Sequence, residues 1–489
     1  MLILLYDALL ILACFVVLPL LPVLLLFPRV RWGLGMRLGR LPRTVRQQAW
    51  LSEGCVWVHA ASLGEVNAVA PVVRELMPRL PRQSLVVTST TAAGCQQARR
   101  VFPQAAACLL LPVDLPWLLG PWIRRFKPRL LVLAETELWP NLVLQMKAHG
   151  VQVIMANGRL TERSLRRYRR LGSAMAGLLD KIDLFAMQAP ADAQRIQALG
   201  ARAARVSVAG NTKFDLPADL EAARTDSAEQ RRRLGWKASA PVLVAGSTRP
   251  GEEALLLAAF AALKKELPTA RLVLAPRHLE RLAEVEALLK RLKWRWVRRS
   301  GGAGGEDADV LLLDTLGELR AFYALACDSG AAWVGGAFAD FGGQNPLEPA
   351  ALGVPVFFGP HMRHFPEVAQ ALVETGGAEQ VEASALAAAT LALLKDPQAH
   401  AARARAAKLC VERRAGAGRR TAELALKLLL LARMRRDGQD WRTEGQEQFR
   451  RVTEFGDAAQ AGDWQPADGG ALPDSREFGR LPEERHGLD

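Results

Sequence analysis

One pattern constrains this chain more than any other. A short, wholly apolar run leads into a glycine-bearing loop and then a helical period, and the unit recurs on both sides of a polar stretch at Leu216–Ala240. Its clearest copy is Ala331–Pro360, AAWVGGAFADFGGQNPLEPAALGVPVFFGP. Ala331–Val334 reads as a buried strand that stops at Gly335-Gly336. The second pair, Gly342-Gly343, lets backbone approach a ligand closely because no Cβ intervenes. Asn345 suits an N-cap and Pro346 the first helical position. The spacing predicts a helix over Leu347–Leu352, ended by Gly353, and a further strand over Val354–Phe358. A helix N-terminus opening on such a loop favours anions, and Glu348 in its first turn is placed to accept hydrogen bonds from sugar hydroxyls. The same spacing also fits a simple capping box between Asn345 and Glu348. On the residues alone both readings stand.

Repetition of this unit implies parallel strands joined by crossover helices, and hence two doubly wound sheets with ligands at the carboxyl ends of their strands. In the first half, strands are predicted at Cys55–Ala60, Ser84–Ser89, Leu109–Pro112, Arg129–Ala134, Val151–Ala156, Leu184–Gln188 and Val206–Ala209. Four acidic or basic residues sit just past such strands. Glu65 opens the helix after CVWVHA; there the helix dipole is expected to keep its carboxylate ionised, as a general base or as a residue the dipole merely favours. Glu135 and Glu137 follow RLLVLA. Lys213, in Gly210–Asp215, fits a phosphate or carboxylate contact. Arg163, Arg166, Arg167, Arg169 and Arg170 form a dense basic helix, suited to solvent, phosphates or lipid headgroups. In the second half, strands are predicted at Pro241–Ala245, Arg271–Ala275, Trp294–Val297 and Val310–Leu313. Leu424–Arg436, basic and leucine-rich, suits packing back on the first domain.

The 489-residue length allows for about two or three domains. The expected divisions are an anchor at 1–28, domains at 29–225 and 226–436, and a disordered polar tail at 437–489. A formal charge of +14 points to anionic partners. Sparse aromatics and only three tyrosines argue against single-stranded nucleic acid. The six cysteines are scattered without a CxxC, so neither a disulfide frame nor a zinc site is expected. Leu2–Phe27 is almost wholly apolar and long enough to span a bilayer. It lacks the basic start and small-residue cleavage site of a signal peptide. The arginines that follow (Arg29, Arg31, Arg37, Arg40, Arg43, Arg46) place that flank on the cytoplasmic side. Pro19 and Pro22 admit the alternative of a segment lying in the interface. Asp307-Ala308-Asp309 and the set His361, His364, Glu367 have loose metal spacing; the first reads better as a solvated turn. No Walker A loop, G-x-G-x-x-G or G-x-S-x-G stands in a usable context, which removes the main support for kinase, dehydrogenase and hydrolase readings.

Taken in order, HAASLGE (59–65), ETELWPN (135–141), NGRL with ERS (157–164), GNTKFD (210–215), GSTRPGEE (246–253), PRHLER (276–281), DTLGEL (314–319) and GGQNPLEPAALGVPVFFGP (342–360) resemble the 3-deoxy-D-manno-octulosonic acid (Kdo) transferases. The resemblance covers roughly residues 1–430. It implies an α/β protein of GT-B type, with two Rossmann-like doubly wound domains facing a cleft and an N-terminal membrane helix. It further implies an inverting glycosyltransferase at the cytoplasmic face of the inner membrane. The enzyme would take Kdo from CMP-Kdo to a lipid A precursor in lipopolysaccharide synthesis, with no cofactor, metal or nucleic acid. By the same resemblance, Glu65 is the base, while Glu135 and Lys213 stabilise the transition state. Pro276, Arg277, Leu316, Gly317, Glu318, Asn345, Pro346, Leu347 and Glu348 hold CMP, with Ser247 and Thr248 as further donor contacts. Three positions depart from the family pattern: Gln344 and Arg249 stand where His is common, and Leu279 replaces a frequent Pro. The competing readings are a GT-B enzyme using a UDP-sugar on a lipid acceptor, and a membrane-surface nucleotide-binding scaffold without turnover. A scaffold supplies no reason for Glu65, Glu135 and Lys213 to sit at strand–helix junctions.

Overall fold

A computed structural model describes residues 2–20, 22, 26, 28–46, 54–80, 84–216, 227–301 and 307–436. The expected tail from Asp437 and part of the polar linker lie outside the described residues. The chain forms two compact units, residues 1–215 with 416–489, and residues 216–415.

The first unit is built on seven parallel strands: β1 (Cys55–His59), β2 (Ser84–Ser89), β3 (Ala107–Leu110), β4 (Pro128–Ala134), β5 (Gln152–Gly158), β6 (Leu184–Met187) and β7 (Val206–Val208). Their order is β3-β2-β1-β4-β5-β6-β7, the doubly wound arrangement whose direction reverses between β1 and β4. Side chains alternate across the sheet. Cys55 and Trp57 of β1 face one layer, where Phe126 meets Trp57 edge-on at 5.3 Å. Val56 and Val58 face the other, which holds Val66, Val69 and Val73 of the Leu63–Leu76 helix.

The last helix, Ala417–Arg436, completes that second layer with buried Ala422, Leu424, Ala425, Leu426 and Leu428. The division at 226–436 assigned it to the second domain; its apolar face is instead buried in the first unit, as its leucine-rich pattern suited. Asp215 fixes its start, accepting hydrogen bonds from the backbone N–H of Gly416 (2.5 Å), Ala417 (3.2 Å) and Gly418.

The second unit has β8 (Val242–Thr248), β9 (Arg271–Pro276), β10 (Trp296–Arg298), β11 (Val310–Leu312), β12 (Gly330–Val334), β13 (Val356–Phe358) and β14 (Ala378–Gln380). They are parallel in the order β10-β11-β9-β8-β12-β13-β14, so the reversal falls between β8 and β12. The short polar edge strand β14 carries no apolar run and left no signal in the sequence. Asp309 forms no solvated turn. It is buried and bound by the exposed Arg295 (2.9 and 3.0 Å) and by Lys264 (2.7 Å), so side-chain cations already satisfy the carboxylate. Among the described residues no group of His, Cys, Asp and Glu could hold a metal ion.

The N-terminal expectation needs correction. The apolar run forms a helix over Leu2–Val17, then a 3-10 turn over Leu18–Leu20. Proline at position 19 lacks the N–H that a continuing helix requires. Sixteen residues at about 1.5 Å each reach about 24 Å, short of an apolar bilayer core of about 30 Å. Among the described residues no helix is long and apolar enough to cross a membrane. The two polar residues in the run tie this helix to the first unit. The Tyr6 hydroxyl donates to Asp114 Oδ2 (3.0 Å), and the Asn141 amide donates to Asp7 Oδ1 (2.6 Å). Asp114 also accepts from the N–H of Asn141 (3.0 Å) and Leu142 (2.8 Å), so one buried carboxylate joins the N-terminal helix to the Pro140–Ala148 helix. Leu9, Leu12, Phe15 and Val16 stay exposed.

Candidate active site

In the first unit the reversal of strand order brings the loops after β1 and β4 to one edge. Ser62 caps the helix after β1, accepting from the Glu65 N–H at 3.3 Å. Glu65 answers: its Oε2 accepts from the Ala61 N–H (2.7 Å) and its Oε1 from the Ser62 hydroxyl (2.8 Å). The carboxylate is thereby held in one orientation by its own loop. Its pKa is raised, first by burial and then by the negative charge of Glu137, against the lowering effect of these hydrogen bonds. The sequence led to the opposite expectation. The dipole of a helix end is outweighed once the group leaves water beside a second carboxylate.

Glu137 is the residue that the site reading missed. Its own pKa is raised, chiefly by burial and also by Glu135. The Trp139 indole N–H donates to its Oε2 at 2.8 Å. The signal was present in ETE, two carboxylates past one strand, but the resemblance assigned only the first. His59, the last residue of β1, is fully buried, with Nδ1 3.0 Å from the Thr88 hydroxyl and its ring edge-on to Trp139 at 5.7 Å. Burial lowers its pKa to about 3, so it stays neutral and is too weak a base to compete with Glu65.

Glu135 follows β4 directly in a left-handed conformation, φ 52°, and Asn157 on the neighbouring β5 matches it at φ 55°. Side chains rarely adopt this region, and such strain gathers at functional edges. The Glu135 N–H donates to Ala156 O (2.8 Å). Asn157, almost fully buried, accepts through Oδ1 from the Thr212 N–H (3.0 Å), while the Thr212 hydroxyl donates to Ala68 O (2.5 Å) on the helix that carries Glu65. Asn211 accepts from the Lys213 N–H (3.0 Å). One hydrogen-bonded chain thus links the segments bearing Glu65, Glu135 and Lys213, which stand over 145 residues apart in sequence at the extremes (213 − 65).

In the second unit, Ser247 near the end of β8 repeats the strained geometry, φ 56°. The exposed Arg277 donates its backbone N–H to Thr248 O (3.0 Å), which sets Pro276-Arg277 beside GSTRPGEE. Gly317 turns the next loop at φ 87°, leaving Leu316 exposed, and Glu318 accepts from Arg299 (3.0 Å) and the Thr315 hydroxyl. The helix within Ala331–Pro360 is shorter than expected, Leu347–Ala351, with Pro346 as its cap residue. Asn345 Oδ1 accepts from the Leu347 N–H (3.1 Å). The Asn345–Glu348 capping box therefore does not form. Glu348 is turned toward Arg320 (4.0 Å), which lies on the helix after DTLGE and so joins Leu316–Glu318 to Asn345–Glu348. Arg249, in place of the common His, lies 4.8 Å over the Phe341 ring and bonds to His278.

The family described as 3-deoxy-D-manno-octulosonic-acid transferase (kdotransferase) matches residues 33–216. A 3-deoxy-D-manno-octulosonic acid transferase of Haemophilus influenzae is 36% identical over 346 residues, 70% of this chain and 80% of that protein. One from Bordetella pertussis is 36% identical over 380 residues, 75% of this chain and 85% of its own. The chain belongs to the Kdo transferases. It is a glycosyltransferase of lipopolysaccharide biosynthesis. Among solved structures, the C-terminal CMP-Kdo binding domain of WaaA from Acinetobacter baumannii is 28% identical. It covers 39% of this chain and 99% of its own, with a TM-score of 0.37.

Proposed function

We propose that this Kdo transferase moves Kdo from CMP-Kdo to a sugar hydroxyl of a lipid A precursor, with inversion at the anomeric carbon. The observation that carries the reading is Glu65: a half-buried carboxylate of raised pKa, fixed by two hydrogen bonds at the point where the first sheet reverses. Glu65 takes the proton of the attacking hydroxyl as the new glycosidic bond forms and the bond to the CMP phosphate breaks. Its raised pKa makes it a better base near neutrality than an ordinary carboxylate. Glu135 and Lys213 stabilise the transition state, Lys213 by answering the negative charge of the donor. Pro276 and Arg277, Leu316 to Glu318, and Asn345, Pro346, Leu347 and Glu348 hold the cytidine nucleotide. Arg277 meets phosphate and Glu348 the ribose hydroxyls.

Membrane association at the cytoplasmic face fits the exposed Leu9, Leu12, Phe15 and Val16 on a helix tied down through Tyr6 and Asp7, with basic Arg40, Arg43 and Arg46 following. This is an interfacial helix with its apolar side toward lipid and cationic side chains for anionic headgroups. The test is a transfer assay in detergent, with CMP-Kdo generated in situ and a tetraacylated lipid A precursor, read by mass. A gain of one or more Kdo units is expected. No gain from folded protein, with a UDP-sugar active instead, refutes the donor assignment.

A further inference from the structure

The second unit contains a buried carboxylate that neither the base nor the nucleotide contacts use. Glu252 is the first residue of the Glu252–Glu266 helix and is fully buried. Its Oε2 accepts from the backbone N–H of Gly336 (2.6 Å) and Arg249 (2.8 Å). Its Oε1 accepts from Phe338 (2.9 Å) and Ala339 (3.1 Å). A carboxylate offers about four acceptor positions, and here all are filled by backbone donors. Charged acceptors make such bonds short and strong, and the positive helix end adds to them.

These four donors lie on the two loops that flank the reversal of the second sheet, after β8 and after β12. The loop after β12 fits tightly against β8: a Cβ on Gly335 would stand 2.6 Å from Ser247 O. From there the order passes along the backbone. The N–H of Gly343 donates to Gly336 O (2.7 Å) and that of Gln344 to Gly335 O (3.0 Å). Asn345, Pro346, Leu347 and Glu348 follow at once. The neighbouring Glu253, also buried, does a different job: it accepts from the Thr248 hydroxyl (2.8 Å) and from Arg281 (2.8 and 3.1 Å).

We infer that Glu252 is a positioning residue for donor binding, an internal anion that folds the Gly335–Ala339 loop and so sets Asn345–Glu348 in place before the nucleotide arrives. The inference rests on the reading of Asn345–Glu348 as nucleotide contacts. In Glu252→Gln the shape is kept, but one oxygen becomes an NH2 group facing two N–H donors. Two of the four bonds are lost and the amides repel.

The experiment is CMP titration of the full chain by calorimetry together with amide hydrogen exchange. Wild type, E252Q, E252D and T390V are compared. T390V removes the hydrogen bond that Thr390 accepts from the Trp333 indole (3.1 Å) on β12, just before the loop, and leaves the four donors to Glu252 in place. In ligand-free wild type, the amides of Gly336, Phe338 and Ala339 should exchange as slowly as those of β12. In E252Q those three should speed up selectively, with CMP affinity down tenfold or more and acceptor KM unchanged. E252D should recover part of the affinity, and T390V should bind CMP as wild type does. Wild-type affinity in E252Q, or an equal loss in T390V, overturns the inference, as does fast exchange of the three amides in wild type. The exchange measurement needs no ligand. Selective deprotection in E252Q without any CMP binding by wild type would therefore refute the nucleotide reading, and with it the donor role, while leaving the loop clamp standing.

Discussion

Glu65→Gln separates catalysis from folding, because the structure supplies a partner for every group of the new side chain. The glutamine oxygen replaces Oε2 opposite the Ala61 N–H, now 2.7 Å away. Its NH2 group turns toward the Ser62 hydroxyl oxygen, which already accepts from the Glu65 N–H and has a second lone pair. The number of hydrogen bonds is unchanged. What is lost is a charge that the helix N-terminus favours by about 0.3–1 kcal/mol but that burial and Glu137 disfavour, so its removal is nearly neutral for folding. Removing a general base costs about 10²–10⁴ in rate, or about 2.7–5.4 kcal/mol of transition-state stabilisation at about 1.36 kcal/mol per decade. E65Q should therefore melt within a few degrees of wild type, bind CMP as wild type does, and transfer Kdo at least a hundredfold more slowly. Glu65→Ala should be as inactive but less stable, by about 1–3 kcal/mol, because the Ala61 N–H loses its acceptor. The assay is initial transfer rate in detergent, beside thermal melting and CMP titration on the same preparations. An E65Q enzyme with more than a tenth of wild-type kcat would refute the assignment of the base. So would a loss of CMP affinity that matches the loss of rate.

The raised pKa of Glu65 places the acid limb of kcat/KM above the ordinary carboxylate range, since only the ionised form accepts the proton. Glu137→Gln removes one of the two causes, so the limb should move to lower pH; an upward shift or none would refute the coupling. The same sign governs folding. A carboxylate whose pKa is higher in the folded state gives its full stability at low pH and loses it as pH rises through the folded value. Glu348→Ala should weaken CMP binding tenfold or more and leave acceptor KM alone, and unchanged nucleotide affinity would end its assigned role. Asp215→Ala strips the acceptor from the Gly416, Ala417 and Gly418 amides. It should cost about 0.5–2 kcal/mol in denaturant unfolding and speed proteolysis near Gly416. No change in either would mean that the cap does not hold the last helix.

The amino-acid sequence dictates the strand–loop–helix alternation, and with it two parallel sheets, because a fully buried parallel strand must be an uninterrupted apolar run and each crossover needs a helix. It also determined the motifs, and so the family. It named Glu65, Glu135 and Lys213 as groups past strand ends, since strand ends are visible where apolar runs stop. What it left undecided concerns burial and pairing between distant segments. The pKa of Glu65 reversed in direction first because the fold buries it, and second because Glu137, seventy-two residues on (137 − 65), comes close once β1 and β4 lie side by side. Two glutamates at a helix start look like dipole-favoured surface residues. Glu252 is buried because the loop after β12 closes over it. Tyr6 and Asp7 look like blemishes in an apolar run until Asp114 and Asn141 are found against them. The last helix returns to the first unit because Asp215 caps it and its leucines complete that core. Local patterns record which face of a segment is apolar, but hydrogen bonds and charge pairs across the fold exist only after the backbone has brought their partners together.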